Sequence, residues 1–248
     1  MGWSNKQKSF ESRGGKVFGL TDFEREALAL SLQVATSAVV WSLPLGIAVA
    51  WLLAKKRFPG HALLNAIVHL PLVLPPVVIG YLLLIGLGRN SPLGAALEDT
   101  FGIRFAFTSA GATIACAVVA FPLLVRAVRL SIEAIDTRYE AAARTLGASE
   151  WRVFTSVTLP LMTPGILAGA TLAFARAVSE FGATITFAAN IPGQTQTLPL
   201  ALYTTLQSPG GETAAIRLCM LSIVIAIASL ALSEWIARRM NSTTEVLR

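Results

Sequence analysis

Five stretches of this chain are long and apolar enough to leave water altogether, and they constrain its fold more than any other feature. They cover residues 27–54, 61–87, 107–130, 161–188 and 214–236. A bilayer's hydrocarbon core is about 30 Å thick, which about 20 helical residues cross at about 1.5 Å each. Inside it each backbone N–H and C=O needs a partner from the chain itself, so such runs form helices. The composition agrees, with 54% of 248 residues hydrophobic and 14% charged, against about 25% charged in a soluble domain. The expected fold is an all-α polytopic membrane protein with about five transmembrane helices.

The formal charge of +6 would suit a nucleic-acid binder, but the cations sit in short clusters beside the apolar runs. Membrane topology accounts for that placement, because Lys and Arg collect on the cytoplasmic side. Lys55 to Arg57, Arg126 to Arg152, and Arg238 with Arg239 are therefore read as cytoplasmic. The loops at 89–104 and 190–212 carry few or no cations and are read as external. Five spans then put the N-terminus outside and the C-terminus in the cytoplasm. The polar tail at 1–21 carries Lys6, Lys8, Arg13 and Lys16, against that orientation. Residues 27–54 are nonetheless too few to cross twice. The tail has no apolar core for a cleavable signal peptide. Residues 22–240 form the transmembrane domain, and 241–248 a C-terminal tail.

Within this plan two stretches are irregular. The second run holds Pro71, Pro75 and Pro76, which open a helix's hydrogen-bond ladder. Two readings fit equally: a packing kink, or a break beside a water-filled path. Residues 190–212 are broken by Pro192, Gly193, Pro199, Pro209, Gly210 and Gly211. The apolar part is too short to cross, so it forms a half-helix on the external side or a helix lying in the interface.

Between the third and fourth runs lies the loop 131–160, which carries a polar helix-turn-helix in the stretch 136–164 that leads into the fourth run. Thr137 stands three residues before Glu140, the spacing of a capping box, and Gly147 offers a left-handed stop. Ser149 caps the next helix. Tyr139, Ala142, Ala143 and Leu146 share one face, and Arg138, Glu140 and Arg144 are placed to stay in water. Trp151 and Phe154 give the second helix an apolar edge. The alanines Ala141 to Ala143 let another protein's surface approach the backbone closely.

No G-x-x-x-x-G-K-[ST] phosphate loop occurs, so transport driven by ATP needs a partner subunit. No serine, histidine and acid constellation stands out. Cys116 and Cys219 lie in apolar runs and are expected as free, buried thiols, and His61 and His69 stand apart from any metal-ligand cluster. No metal is expected. The strongly polar groups in the spans are Arg176, Glu180 and Arg217. Arg176 and Glu180 are four apart on one face near the middle of the fourth run, and two readings stay open for them. They form a helix clamp, or Arg176 lines a translocation path and Glu180 moderates its pull on a passing dianion.

The stretch AAARTLG, followed by Val157, Leu159 and Pro160, resembles the docking loop of ABC importer permeases. That loop has the pattern E-A-A, three residues, G, nine residues, I, any residue, L-P. Ala142, Ala143, Gly147, Leu159 and Pro160 match, and Val157 is a conservative match. The pattern's acid falls at Ala141, so Glu140 is one residue early, about 100° around the helix. The resemblance extends over residues 57–84, 174–212 and 232–239 to the molybdate permeases, most specifically at NIPGQTQTLPLALY. It implies a bacterial inner-membrane permease in a homodimer, two cytoplasmic ATPase subunits that use ATP, and a periplasmic oxyanion-binding protein. No cofactor is expected on this chain. Some relatives carry an extra N-terminal span, expected to be absent here. Tungstate or sulfate permeases, and a secondary anion transporter without an ATPase, are the alternatives.

Overall fold

The computed structural model describes residues 20–245. Residues 1–19, most of the expected polar tail, lie outside the described residues, as do 246–248. The first helix, α1 (Asp22–Lys55), starts on a reciprocal cap: the Thr21 hydroxyl accepts the Glu24 N–H, and the Glu24 carboxylate accepts the Thr21 N–H. It continues unbroken through Pro44.

The second run is more than a kinked span. It splits into α2 (His61–Val73) and α3 (Pro76–Leu87), bent by 117°. Leu74 and Pro75 each precede a proline, whose ring excludes the helical region for the residue before it, and both are extended, with ψ of 140° and 133°. The external loop then holds a short α4 (Pro92–Phe101), capped by the Ser91 side chain on the Gly94 N–H. The third span is α5 (Ser109–Glu133), capped by Thr108.

After α5 come α6 (Thr137–Thr145) and α7 (Glu150–Val153), and a π-helical turn (Phe154–Thr158) that leads into α8 (Leu159–Val178). Pro160 falls in the first turn of α8 and Pro164 in its second, so the rod from Glu150 to Val178 spans 29 residues without interruption. The fourth run does not cross as one helix over 161–188. It stops at Val178, turns, and resumes as α9 (Gly182–Phe187). Arg176 and Glu180 therefore stand at the end of a helix and not near the middle of a span. The chain finishes with α10 (Leu198–Leu206) and α11 (Glu212–Glu245), the latter running past residue 240. Leu198, Leu200 and Ala201 of α10 are fully buried, so α10 is a half-helix inside the bundle and not one lying in the interface.

Among the described residues four helices have the length and apolarity to cross a membrane, five if the bent α2–α3 pair counts as one crossing. They assemble around α5. Gly165, Gly169, Ala173 and Ala177 recur every fourth residue along α8 and are all buried. A side chain at Gly165 would overlap Ser131, and one at Gly169 would sit 3.1 Å from the Ala127 Cβ and the Leu124 carbonyl oxygen. Further along, the Cys116 thiol donates to the Ala177 carbonyl. These contacts run backwards along α5 as α8 advances, so the two are antiparallel. Small residues let the backbones close to dispersion contact, which holds helices together where lipid removes the hydrophobic drive. Gly46 of α1 also leaves room for Leu124, whose side chain thus sits between α1 and α8.

Two ion pairs mark opposite ends of the bundle. Lys55, the last residue of α1, meets Glu140 of α6, and Glu24 in the first turn of α1 meets Arg217 of α11 at 2.7 Å. Cys116 is buried as expected, whereas Cys219 is exposed on α11. The side chain at 219 points off the bundle, because α11 packs against α8 and α10 by other positions such as Leu218 and Ile225.

Overfilling the α5–α8 seam with Gly169→Leu should destabilise the protein by about 1–3 kcal/mol, the range for forced overpacking. Gly86→Ala, which meets nothing within 4 Å, should change little. Unfolding midpoints in a denaturing-detergent titration check the contrast.

Candidate functional site

The helix-turn-helix is built from its caps. Asp136, not Thr137, is the N-cap of α6: its carboxylate accepts the Arg138 N–H. Thr137 is already the first helical residue, so the expected capping box with Glu140 does not form. At the other end Gly147 takes φ +83°. Its N–H reaches the Arg144 carbonyl at 2.9 Å and the Ala148 N–H reaches the Ala143 carbonyl at 3.1 Å. That is the paired closure that a left-handed residue makes possible after a helix. Ser149 caps α7 by accepting the Arg152 N–H, and Arg144 and Glu150 join the two helices through a forked ion pair with contacts at 2.6 and 3.1 Å.

Glu140 departs most from the sequence reading. Placed to stay in water, it is instead 6% exposed. Its carboxylate accepts Lys55 Nζ at 2.9 and 3.0 Å and the Thr158 hydroxyl at 2.8 Å. Those partners lie 85 and 18 residues away, so only the folded chain assembles them. Burial opposes ionisation, but the hydrogen bonds from Lys55 and Thr158 and the Lys55 charge outweigh it and hold the carboxyl below its ordinary value. One face of α6 is thereby pinned to the end of α1 and to the π turn.

The residues expected to form an apolar face point away from the bundle. Tyr139 is 58% exposed, Leu146 88% and Trp151 73%, while Ala141 and Ala142 are exposed between them and Ala143 half-buried. Trp151 stacks on Phe154 at 5.8 Å, and Phe154 meets Trp51 of α1 edge-on. Val157, Leu159 and Pro160 lie in the π turn and the first turn of α8. The matched positions thus fall on two parts of one rigid element: the outer surface of α6 and the foot of α8.

Arg176 and Glu180 are brought together at 2.6 Å across the break after α8. Glu180 is 1% exposed, and its other oxygen accepts the Ala183 N–H at 2.8 Å. It therefore ties α8 to the start of α9. Beyond the break, Gly182 packs against Pro76 and Val77 and Gly80 against Ala183, so α9 and α3 interlock. Sequence reading missed the Glu24–Arg217 pair and the role of Lys55, whose partners are remote in the chain. It also passed over G-x-x-x-G at Gly165 and Gly169, a legible signal.

Because Glu140's folded value is depressed, its contribution is present above the ordinary carboxylate value of 4.5 and is lost as pH falls through the lower folded value. Glu140→Gln should cost the brace about 1.5–3 kcal/mol, the range for hydrogen bonds to a charge. Amide exchange in residues 137–147 should then be about 10-fold faster or more, and the wild-type protection should fade only in acid.

The comparisons with known proteins follow the same outline. Residues 42–242 match the family described as binding-protein-dependent transport system inner membrane component. The chain is 59% identical over 219 residues to the molybdenum transport system permease protein ModB of Escherichia coli (strain K12), covering 88% of this chain and 96% of that protein. To ModB of Haemophilus influenzae it is 58% identical over 218 residues, with 88% and 95% covered. To the sulfate transport system permease protein CysW of Synechococcus elongatus it is 38% identical over 203 residues, with 81% and 71% covered. The fold is similar to that of a bacterial ABC transporter involved in import of the acidic polysaccharide alginate, with a TM-score of 0.67 at 14% identity, covering 96% of this chain and 90% of that one. With the family model spanning residues 42–242, this chain belongs to the inner membrane components of binding-protein-dependent transport systems.

Proposed function

We propose that this chain is the permease subunit of an ABC importer for molybdate, a multi-pass protein of the bacterial inner membrane. The observation that carries the coupling role is the exposed, pinned α6. An apolar surface of Tyr139, Leu146 and Trp151, with small residues between, stands at one end of a membrane bundle on a turn fixed by Gly147. A cytoplasmic ATPase subunit is the partner that such an element fits, and ATP is used there. Since Glu140 is spent within the chain, docking rests on shape and apolar contact. Two copies of the permease would enclose the path, with a periplasmic oxyanion-binding protein delivering the anion.

The choice of molybdate rests on the relatives at 58–59% identity over most of the chain. Tungstate and sulfate are separated from it by uptake into vesicles holding the assembled transporter, with the three anions in competition. Preferential displacement of molybdate by sulfate would overturn the choice. The Arg176–Glu180 pair serves as a clamp that closes the break between α8 and α9, because both Glu180 oxygens are engaged. The orientation has the N-terminus outside and the C-terminus in the cytoplasm, supported by the opposite placement of the Glu24–Arg217 and Lys55–Glu140 pairs.

Gly147→Val forces a β-branched residue to φ +83°, at a cost of about 1–2 kcal/mol or more, and should distort the surface the ATPase meets. Molybdate-stimulated ATP hydrolysis should fall at least several-fold, and an unchanged rate would remove the docking role. For orientation, Arg25→Cys in a Cys219→Ser background should react with an impermeant thiol reagent outside intact cells, and Leu146→Cys should not.

A further inference from the structure

The charged residues of α5 and α8 are not treated alike. Arg176 is bound to Glu180, and Arg129 to Glu133 and to the Asn65 side chain of α2. Among the described residues Arg126 has no hydrogen-bond or ion-pair partner. It is also the only exposed residue across positions 111–129 of α5, the central helix. Seven residues, about 10 Å, separate it from the helix end at Glu133.

The face on which Arg126 stands is defined by what lies above it. Val119 is seven residues earlier, about 20° around the helix and about 10 Å towards the external side. Val119 is buried in a cluster with Ile79 of α3 and Ala183 and Phe187 of α9. Those two segments are the pieces that follow breaks in the chain, at Leu74–Pro75 and at 179–181. Backbone broken at membrane depth is tolerated only against protein or a water-filled path, never against lipid. The α5 face they cover is therefore turned away from lipid, and Arg126 continues it inward, below the α3–α9 cluster, where the cover ends.

We infer that Arg126 is the anion-stabilising group of the inner half of the translocation path, met by a tetrahedral dianionic oxyanion after it passes the level of the α3–α9 cluster. This deepens the importer reading and rests on it. An arginine offers planar, forked donors suited to such an oxygen set. A single exposed cation with no carboxylate partner attracts the anion without holding it too tightly to leave. Arg176, neutralised by a buried carboxylate, is less suited to the task. The other source of an anion at this depth is a phospholipid headgroup of the inner leaflet, reached by a snorkelling side chain.

The test uses the transporter with its ATPase subunits in proteoliposomes made either of zwitterionic lipid or with added anionic lipid. Arg126→Gln should still co-purify with the ATPase but lose molybdate uptake at least 10-fold, and Arg126→Lys should recover a substantial part. As a readout independent of uptake, Leu130→Cys in a Cys219→Ser background places a thiol four residues inward at a position 58% exposed. Tungstate should slow its reaction with a water-soluble thiol reagent severalfold, equally in both lipids, and adding Arg126→Gln should abolish the protection. Full uptake by Arg126→Gln, or protection that follows anionic lipid and ignores tungstate, would overturn the inference in favour of a headgroup contact. Failure of the unsubstituted transporter to take up molybdate would instead sink the importer reading, while tungstate protection would still report on the site.

Discussion

A bilayer supplies no hydrogen bonds, and that one deficit organises this molecule. Each place where the chain stops being helical at depth must be enclosed, so the breaks at Leu74–Pro75 and 179–181 fix where protein has to cover protein. The solution is an interlock in which Gly80 admits the Ala183 carbonyl and Gly182 admits Pro76 and Val77. Glu180 then satisfies the Ala183 N–H and the Arg176 charge together. A fold built of unbroken spans would have no such interlock.

The same deficit explains why α5 and α8 meet through glycine and alanine. In lipid a leucine gains little by turning from tails to a neighbouring helix, so association depends on close backbone approach. The ridge from Gly165 to Ala177 provides it along the length of α8. Because α8 continues through the π turn into α7, the seam also sets the position of the helix-turn-helix relative to the membrane core. Thr158, the last residue of that turn, holds Glu140. A hydrogen bond and one continuous helix thus join α6 to the foot of α8.

Much of this plan was legible in the chain. Apolar run length gave the spans, since the need to satisfy the backbone internally acts on each run by itself. Gly147 and Ser149 could be read in place because caps are local, made from residues three to five apart. The prolines announced a disturbed helix, as a kink or a break, since their ring excludes helix for the residue before them. Even the G-x-x-x-G of α8 was in plain view, though nothing local says which helix it faces.

Tertiary structure decided the rest, and the reason is the same at each point: the partner is far away in sequence. Whether Glu140 faces water depends on Lys55 being delivered to it 85 residues on. The end of the fourth run at Val178 depends on α3 being present to receive α9, because no proline between 165 and 188 breaks the helix as those of the second run do. Arg126 and Arg129 look alike in the sequence, and only the packing of α2 gives one of them Asn65 and leaves the other open. Local chemistry fixed the elements, their caps and their breaks, while the placing of charges required knowing which helices meet.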